Sequence, residues 1–166
     1  MTDPTQSPGN ITIDSQSVAL TNGAQITAAT AGTGDAGVLN LGTVKNLNLD
    51  NSKLSTATSG QGNSGQIVVN QAQTITLDHQ SEISTAVNAG AKGNAGEIQF
   101  GTQQLNLSNQ STLTSSTAGQ GNAGRITVQG VNAVTLDNST ISTAIDSTGV
   151  TDPTQSPGNI TIDAQS

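Results

Sequence analysis

One short alternation of apolar and polar positions recurs along the chain. Glycine followed by apolar residues at its second and fourth successors appears six times. The copies are Gly9-Asn-Ile-Thr-Ile13, Gly37-Val-Leu-Asn-Leu41, Gly65-Gln-Ile-Val-Val69, Gly96-Glu-Ile-Gln-Phe100, Gly124-Arg-Ile-Thr-Val128 and Gly158-Asn-Ile-Thr-Ile162, spaced by 28, 28, 31, 28 and 34 residues. A second alternating pair follows each of the first five glycines: Val18/Leu20, Leu47/Leu49, Ile75/Leu77, Leu105/Leu107 and Val134/Leu136. A third apolar position comes at Ile26, Leu54, Ile83, Leu113 and Ile141. A period of two is that of a strand with one buried face.

Each repeat is therefore expected to supply three short strands joined by polar corners. One repeat cannot enclose its own apolar row, but stacked repeats can. Stacking in register places Ile11, Leu39, Ile67, Ile98, Ile126 and Ile160 above one another in a continuous core. The expected fold class is all-β: a parallel β-helix, or β-solenoid, with three short strands per turn. It has about five turns, 9–36, 37–64, 65–95, 96–123 and 124–157, with a sixth starting at 158–166. At the usual strand spacing of ~4.8 Å, five rungs rise only ~24 Å.

Composition makes sense in that frame. Thr, Ser, Asn, Gln and Gly account for 94 of 166 residues, and Leu, Ile, Val and Phe for only 34. So little apolar side chain borders on the composition of disordered chains, yet only 9% of residues are charged, which removes the other half of that signature. The outward strand positions (Thr12, Asn40, Gln99, Thr127; Ala19, Asn48, Thr76, Asn106, Thr135) are small or uncharged. Like charges stacked at rung spacing would repel, whereas amide and hydroxyl columns are expected to hydrogen-bond along the stack.

A net charge of −7 and a single aromatic residue, Phe100, argue against nucleic-acid binding, which needs a basic face and stacking platforms. With no Cys there is no disulfide framework and no thiolate metal site. No apolar run is long enough to insert in a membrane, and no signal-peptide pattern follows Met1. Any export address is expected outside this chain.

The glycine-rich stretches Gly32–Gly37, Ser59–Gly65, Gly90–Gly96 and Ala118–Gly124 separate the third strand of one repeat from the next glycine. They read as tight corners, with Gly and Asn supplying positive φ. No helix and no Lys-Ser/Thr follows them, so no phosphate loop is indicated, and the calcium-binding nonapeptide pattern is absent.

Two columns carry candidate chemistry. His79 shares a column with Asn22, Asn51, Asn109 and Asn138 and is expected to be a corner residue. Asp50 and Asp78 would stand one rung apart, a weak Ca²⁺ candidate because hard cations want several oxygens; solvated surface carboxylates are the plainer reading. No cofactor is indicated.

A longer repeat overlies the short one. Thr2–Ser17 recurs 149 residues later as Thr151–Ser166, with Ser15 replaced by Ala164. All four prolines (Pro4, Pro8, Pro153, Pro157) fall in this duplicated stretch. The simplest account is a five-turn, 149-residue cassette that repeats in tandem, with Met1 at a cassette boundary; deliberate matching of the ends is the alternative. No amphipathic cap helix or charged terminal strand is visible, although open solenoid ends normally need one. The edges formed by Ile11/Ile13 and Ile160/Ile162 are the expected self-association sites. Such a head-to-tail contact does not close and so builds filaments.

The repeats, with Gly-Asn-Ile-Thr-Ile, Asp137–Ala144 and Gly119–Gly124 as clear instances, resemble those of large bacterial exoproteins of the filamentous-haemagglutinin type. The likeness covers residues 9–166 and is specific to the repeat, not to a ligand. It implies a right-handed parallel β-helix, export by a two-partner outer-membrane route, and a role at the cell surface in adhesion, aggregation or filaments. The chain shows no N-terminal secretion domain of that family, so the export route is an inference. The expected partner is a second copy of the chain, with a host or neighbouring cell surface as a further one.

Two alternatives belong to other classes. Some β-helices depolymerise polysaccharides, but one Arg (Arg125), one His and a nearly aromatic-free surface are poor material for such a site, and no enzyme is expected. Others bind ice through flat Thr ranks. Here the third strand offers Thr27, Ser55, Ser84, Thr114 and Ser142 beside Ala29, Ala57, Ala86, Ser116 and Ala144, so Ser and Ala dominate where Thr is needed.

Overall fold

The computed structural model describes residues 8–146 and 154–164. Every element in it is a strand, and the strands pair in parallel, rung upon rung, as a β-solenoid of about five turns. The first strands of successive rungs are β1 (Ile11–Ile13), β4 (Leu39–Leu41), β7 (Ile67–Asp78), β9 (Glu97–Leu107), β11 (Arg125–Val131) and β14 (Asn159–Ala164), neighbours in that order. The second position is held by β2 (Ser17–Thr21), β5 (Asn46–Asp50), the later halves of β7 and β9, and β12 (Ala133–Leu136). The third strands, β3 (Gln25–Thr27), β6 (Lys53–Ser55), β8 (Glu82–Ser84), β10 (Thr112–Thr114) and β13 (Thr140–Ser142), form a separate five-stranded sheet.

The register follows the apolar pattern. Ile11 pairs with Leu39, Leu39 with Ile67, Ile67 with Ile98, and Ile126 with both Ile98 and Ile160. The second and third apolar columns stack equally, as in Leu47↔Ile75 and Leu54↔Ile83. Leu39, Leu49, Ile67, Phe100 and Leu105 are fully buried, so each contributes the ~1.5–3 kcal/mol expected of a large apolar side chain removed from water.

In the third and fourth rungs the first two strands run on as one, β7 and β9, where separate short strands were expected. A bulge between Val69 and Ala72 bends β7 through that corner and leaves the ladder otherwise intact. Beyond the third strand isolated bridges, Thr30↔Thr58↔Val87↔Thr117↔Ile145, with Lys92↔Gln120 farther along, continue the stack toward the glycine-rich corner.

That corner works differently from the sequence-based expectation. Positive φ occurs at Gly90, Gly93 and Gly121, but not in the column Gly37, Gly65, Gly96, Gly124 and Gly158. These five stand directly over one another's backbone: a Cβ on Gly96 would overlap the carbonyl oxygen of Gly65, and one on Gly65 that of Gly37. Glycine is needed there for close approach. The positive φ falls mostly on the other corner, between second and third strands, at Asn22, Asn51, His79, Gln80, Asn109, Gln110 and Asn138. Asn and His are among the few non-glycine residues that accept this region.

The side-chain ladder also lies elsewhere. It forms inside the glycine-rich loop, where Asp35, Asn63, Asn94 and Asn122 each accept the backbone N–H of the residue one rung on through Oδ1, at 2.7, 2.8, 3.0 and 2.7 Å. Beneath it runs a buried hydroxyl chain: Ser64 Oγ accepts from Gly96 N, Thr85 Oγ1 donates to Ser115 Oγ, and Ser115 Oγ donates to Gly96 O.

Candidate functional site

The two ends of the stack carry the duplicated sequence. Gly9–Asp14 and Gly158–Asp163 read identically, and both fold as first strands of the same column. Residues 2–7, 147–153 and 165–166 of the duplication and its approach lie outside the described residues. β1 pairs upward with β4, Ile11↔Leu39 through Ile13↔Leu41, and Val38 N donates to Asn10 Oδ1 at 2.9 Å. β14 pairs downward with β11, Asn159↔Arg125 through Ala164↔Val131, with a register shift between Gln129 and Val131. Among the described strands each has one partner, which leaves one backbone edge of each open.

The ends differ in cover. Ile11 and Ile13 are half-buried, whereas Ile160 and Ile162 are 44% and 43% exposed and Leu136, below them on β12, is 49% exposed. These are the large apolar side chains exposed among the described residues. Sequence reading named the four isoleucines and did not single out Leu136. Its place in the second apolar column was visible, but the lack of cover above it was not.

Asp50 and Asp78 are brought together as expected, in register on β5 and β7. They close around His79: its Nδ1 lies 2.8 Å from Asp50 Oδ1 and 3.1 Å from Asp78 Oδ2. Asp78 Oδ1 accepts from Ser108 Oγ (2.8 Å), Asn109 Nδ2 (2.7 Å) and the His79 N–H (2.9 Å). The Ser108 hydroxyl first, then the Asn109 amide and the His79 N–H, hold the Asp78 carboxyl below its ordinary value. The trough here is lined by Asp50, Asn51, His79, Gln80, Asn109, Gln110 and Asn138. No group of three or more acidic, His or Cys side chains comes together in metal-binding geometry among the described residues. The arrangement is a clip that fastens left-handed corners across three rungs.

On the third-strand face Ser55 and Ser84 are recessed, 4% and 2% exposed. The hydroxyls of Thr27, Ser55 and Ser116 accept from the backbone N–H groups of Ala29, Ala57 and Ala144. Lys53 and Glu82 pair at 2.9 Å along the neighbouring column, a half-exposed contact of small worth. No helix in the described residues is long and apolar enough to cross a membrane. No protein-family model, curated protein or solved structure matches the chain.

Proposed function

We propose that the protein is a structural β-solenoid segment of an extracellular or cell-surface filament or adhesin, whose principal partner is another copy of the same unit. The observation that carries this reading is the duplication: Ile11–Ile13 and Ile160–Ile162 have the same sequence and lie in strands of one column five rungs apart. An upper edge that matches a lower edge joins head to tail without closing. Such a join serves equally a covalent array of 149-residue cassettes and separate chains stacked end to end. The cell-surface setting and the adhesive role rest on the resemblance to filamentous-haemagglutinin repeats.

Ice binding draws less support, because Ser55 and Ser84 are recessed, Thr27 and Ser55 accept from backbone N–H groups, and Thr114 and Ser142 face the Ser116 hydroxyl. Polysaccharide chemistry draws less again, since His79 and its two carboxylates are engaged with one another and with corner donors.

Negative-stain electron microscopy of the purified chain over a concentration series tests the proposal. Straight, unbranched fibres one solenoid wide are expected, lengthening with concentration. Short rods at every concentration would sink separate-chain assembly and leave the covalent array. Thermal hysteresis at millimolar protein would instead favour ice binding.

A further inference from the structure

The corner between first and second strands holds a trough of about 530 Å³, a volume within the range of small-ligand sites. It runs over rungs two to five, with a described strand of the same column on either side, β1 below and β14 above. We propose that this trough binds a carboxylate-bearing sugar of an extracellular glycan, with Lys45 on the carboxylate and the surrounding carboxamides on the hydroxyls. The backbone makes the hollow. β7 bulges between Val69 and Ala72, and β11 shifts register between Gln129 and Val131, where Gly130 turns through positive φ. Bulges of this kind re-aim side chains away from the line of the ladder. Gly101 lies between the two, and a Cβ on it would meet the carbonyl oxygen of Asn70, so the floor stays bare.

Asn70, Gln71, Gln73, Gln103 and Gln129 stand exposed around this hollow. Each carboxamide presents a donor and an acceptor side by side, the pattern that hydroxyls on adjacent carbons of a sugar can answer. Asn70 Nδ2 donates to Asn40 Oδ1 at 3.3 Å. Among the described residues no protein group engages the side-chain amides of Gln71, Gln73, Gln103 or Gln129. Thr102, also in the lining, donates its hydroxyl proton to Gln104 O at 2.9 Å, which leaves the amides as the groups free to meet a ligand.

Charge selects the ligand. The chain has eleven acidic residues against four Lys and Arg, and three other troughs each hold an acid: Asp50, Glu97 and Glu82. This one holds none, and its Lys45 is exposed with no carboxylate paired to it among the described residues. A lone ammonium among neutral amides favours a ligand with one negative charge beside several hydroxyls. One lysine is too little for the phosphates of a nucleic acid, and the bare floor has no apolar pocket for a peptide side chain. No aromatic ring lines the trough, so affinity at a single site is expected on the order of 1 mM. The extracellular setting rests on the adhesive part of the proposed function, whereas self-assembly does not involve the trough.

Equilibrium dialysis of the purified chain tests this, because it reads binding whether or not the chain is assembled. Trigalacturonate, sialyllactose and neutral maltotriose are each offered at millimolar concentration in physiological salt, which screens the net charge of the chain. Retention of an acidic sugar above that of maltotriose is expected. Trigalacturonate would identify a polyuronate as the source and sialyllactose a sialylated surface; either supports the site. Lys45→Gln is expected to weaken that retention about tenfold. Lys53→Gln, on the third-strand sheet and paired with Glu82, should leave it unchanged. Maltotriose held as well as the acidic sugars, no acidic sugar held at all, or acidic-sugar binding unaltered in Lys45→Gln would each overturn the assignment. Fibres that still form in the microscope after such a result would leave the self-assembly reading standing.

Discussion

The two corners of each rung solve the same problem by opposite means. At the glycine corner, the column Gly37, Gly65, Gly96, Gly124 and Gly158 brings backbone onto backbone so closely that no Cβ fits, although φ there is ordinary. At the corner between second and third strands there is room for side chains, but the chain must turn through positive φ, and Asn, His or Gln stands there. One corner is limited by space and the other by conformation. They should respond to mutation in different ways: the glycine corner to an added carbon, the asparagine corner to a lost acceptor.

The largest effect is expected from Gly96→Ala, because its Cβ meets the carbonyl oxygen and carbon of Gly65, groups that cannot swing aside. Parting two rungs of a packed core should cost about 3 kcal/mol, measured as a fall in the denaturation midpoint. Gly9→Ala, with nothing within 4 Å of the added Cβ, is the matched control and should leave the midpoint nearly unmoved. Equal responses at the two sites would remove close approach as the reason for the column.

A smaller loss is expected from Asp78→Ala, which deprives the Ser108 hydroxyl, the Asn109 amide and the His79 N–H of their common acceptor. Partial exposure lets water replace part of what is lost, so about 1 kcal/mol is expected. The pH dependence has a definite sign. The folded chain holds this carboxyl below its ordinary value of 3.8, so its contribution is present above that value. It is lost as pH falls through the lowered folded value. Acid titration of stability should therefore be shallower in Asp78→Asn than in the parent below pH 3.8; parallel curves would refute the assignment.

Smallest is Asn94→Ala in the loop ladder. It removes the acceptor of Asn122 N and the donor to Asn63 Oδ1, both at the surface, for roughly 0.5 kcal/mol. A loss as large as that of Gly96→Ala would mean that the amide ladder, and not backbone contact, fixes the rung spacing at this corner.

The last described rungs differ from the middle of the stack in cover. In the middle rungs each apolar residue has a neighbour above and below, and Leu39 to Leu113 form a sealed core. At the upper end Leu136, Ile160 and Ile162 repeat the same columns without that cover. The chemistry is the same in both places; only the next rung differs.

The period-two alternation and its recurrence every 28 to 34 residues were enough to specify parallel strands, their register and the three inward columns, because a one-residue slip would turn every apolar side chain outward. Asp50 and Asp78 were legible as neighbours for the same reason. What the glycines do was not legible, since glycine serves equally for positive φ and for close contact, and only the stacked backbone separates the two. His79 drawn between two carboxylates, the amide ladder set in the loop, and Leu136 left without cover depend on what lies one rung away. That neighbour is some thirty residues distant in sequence, and only the coiling of the chain places it.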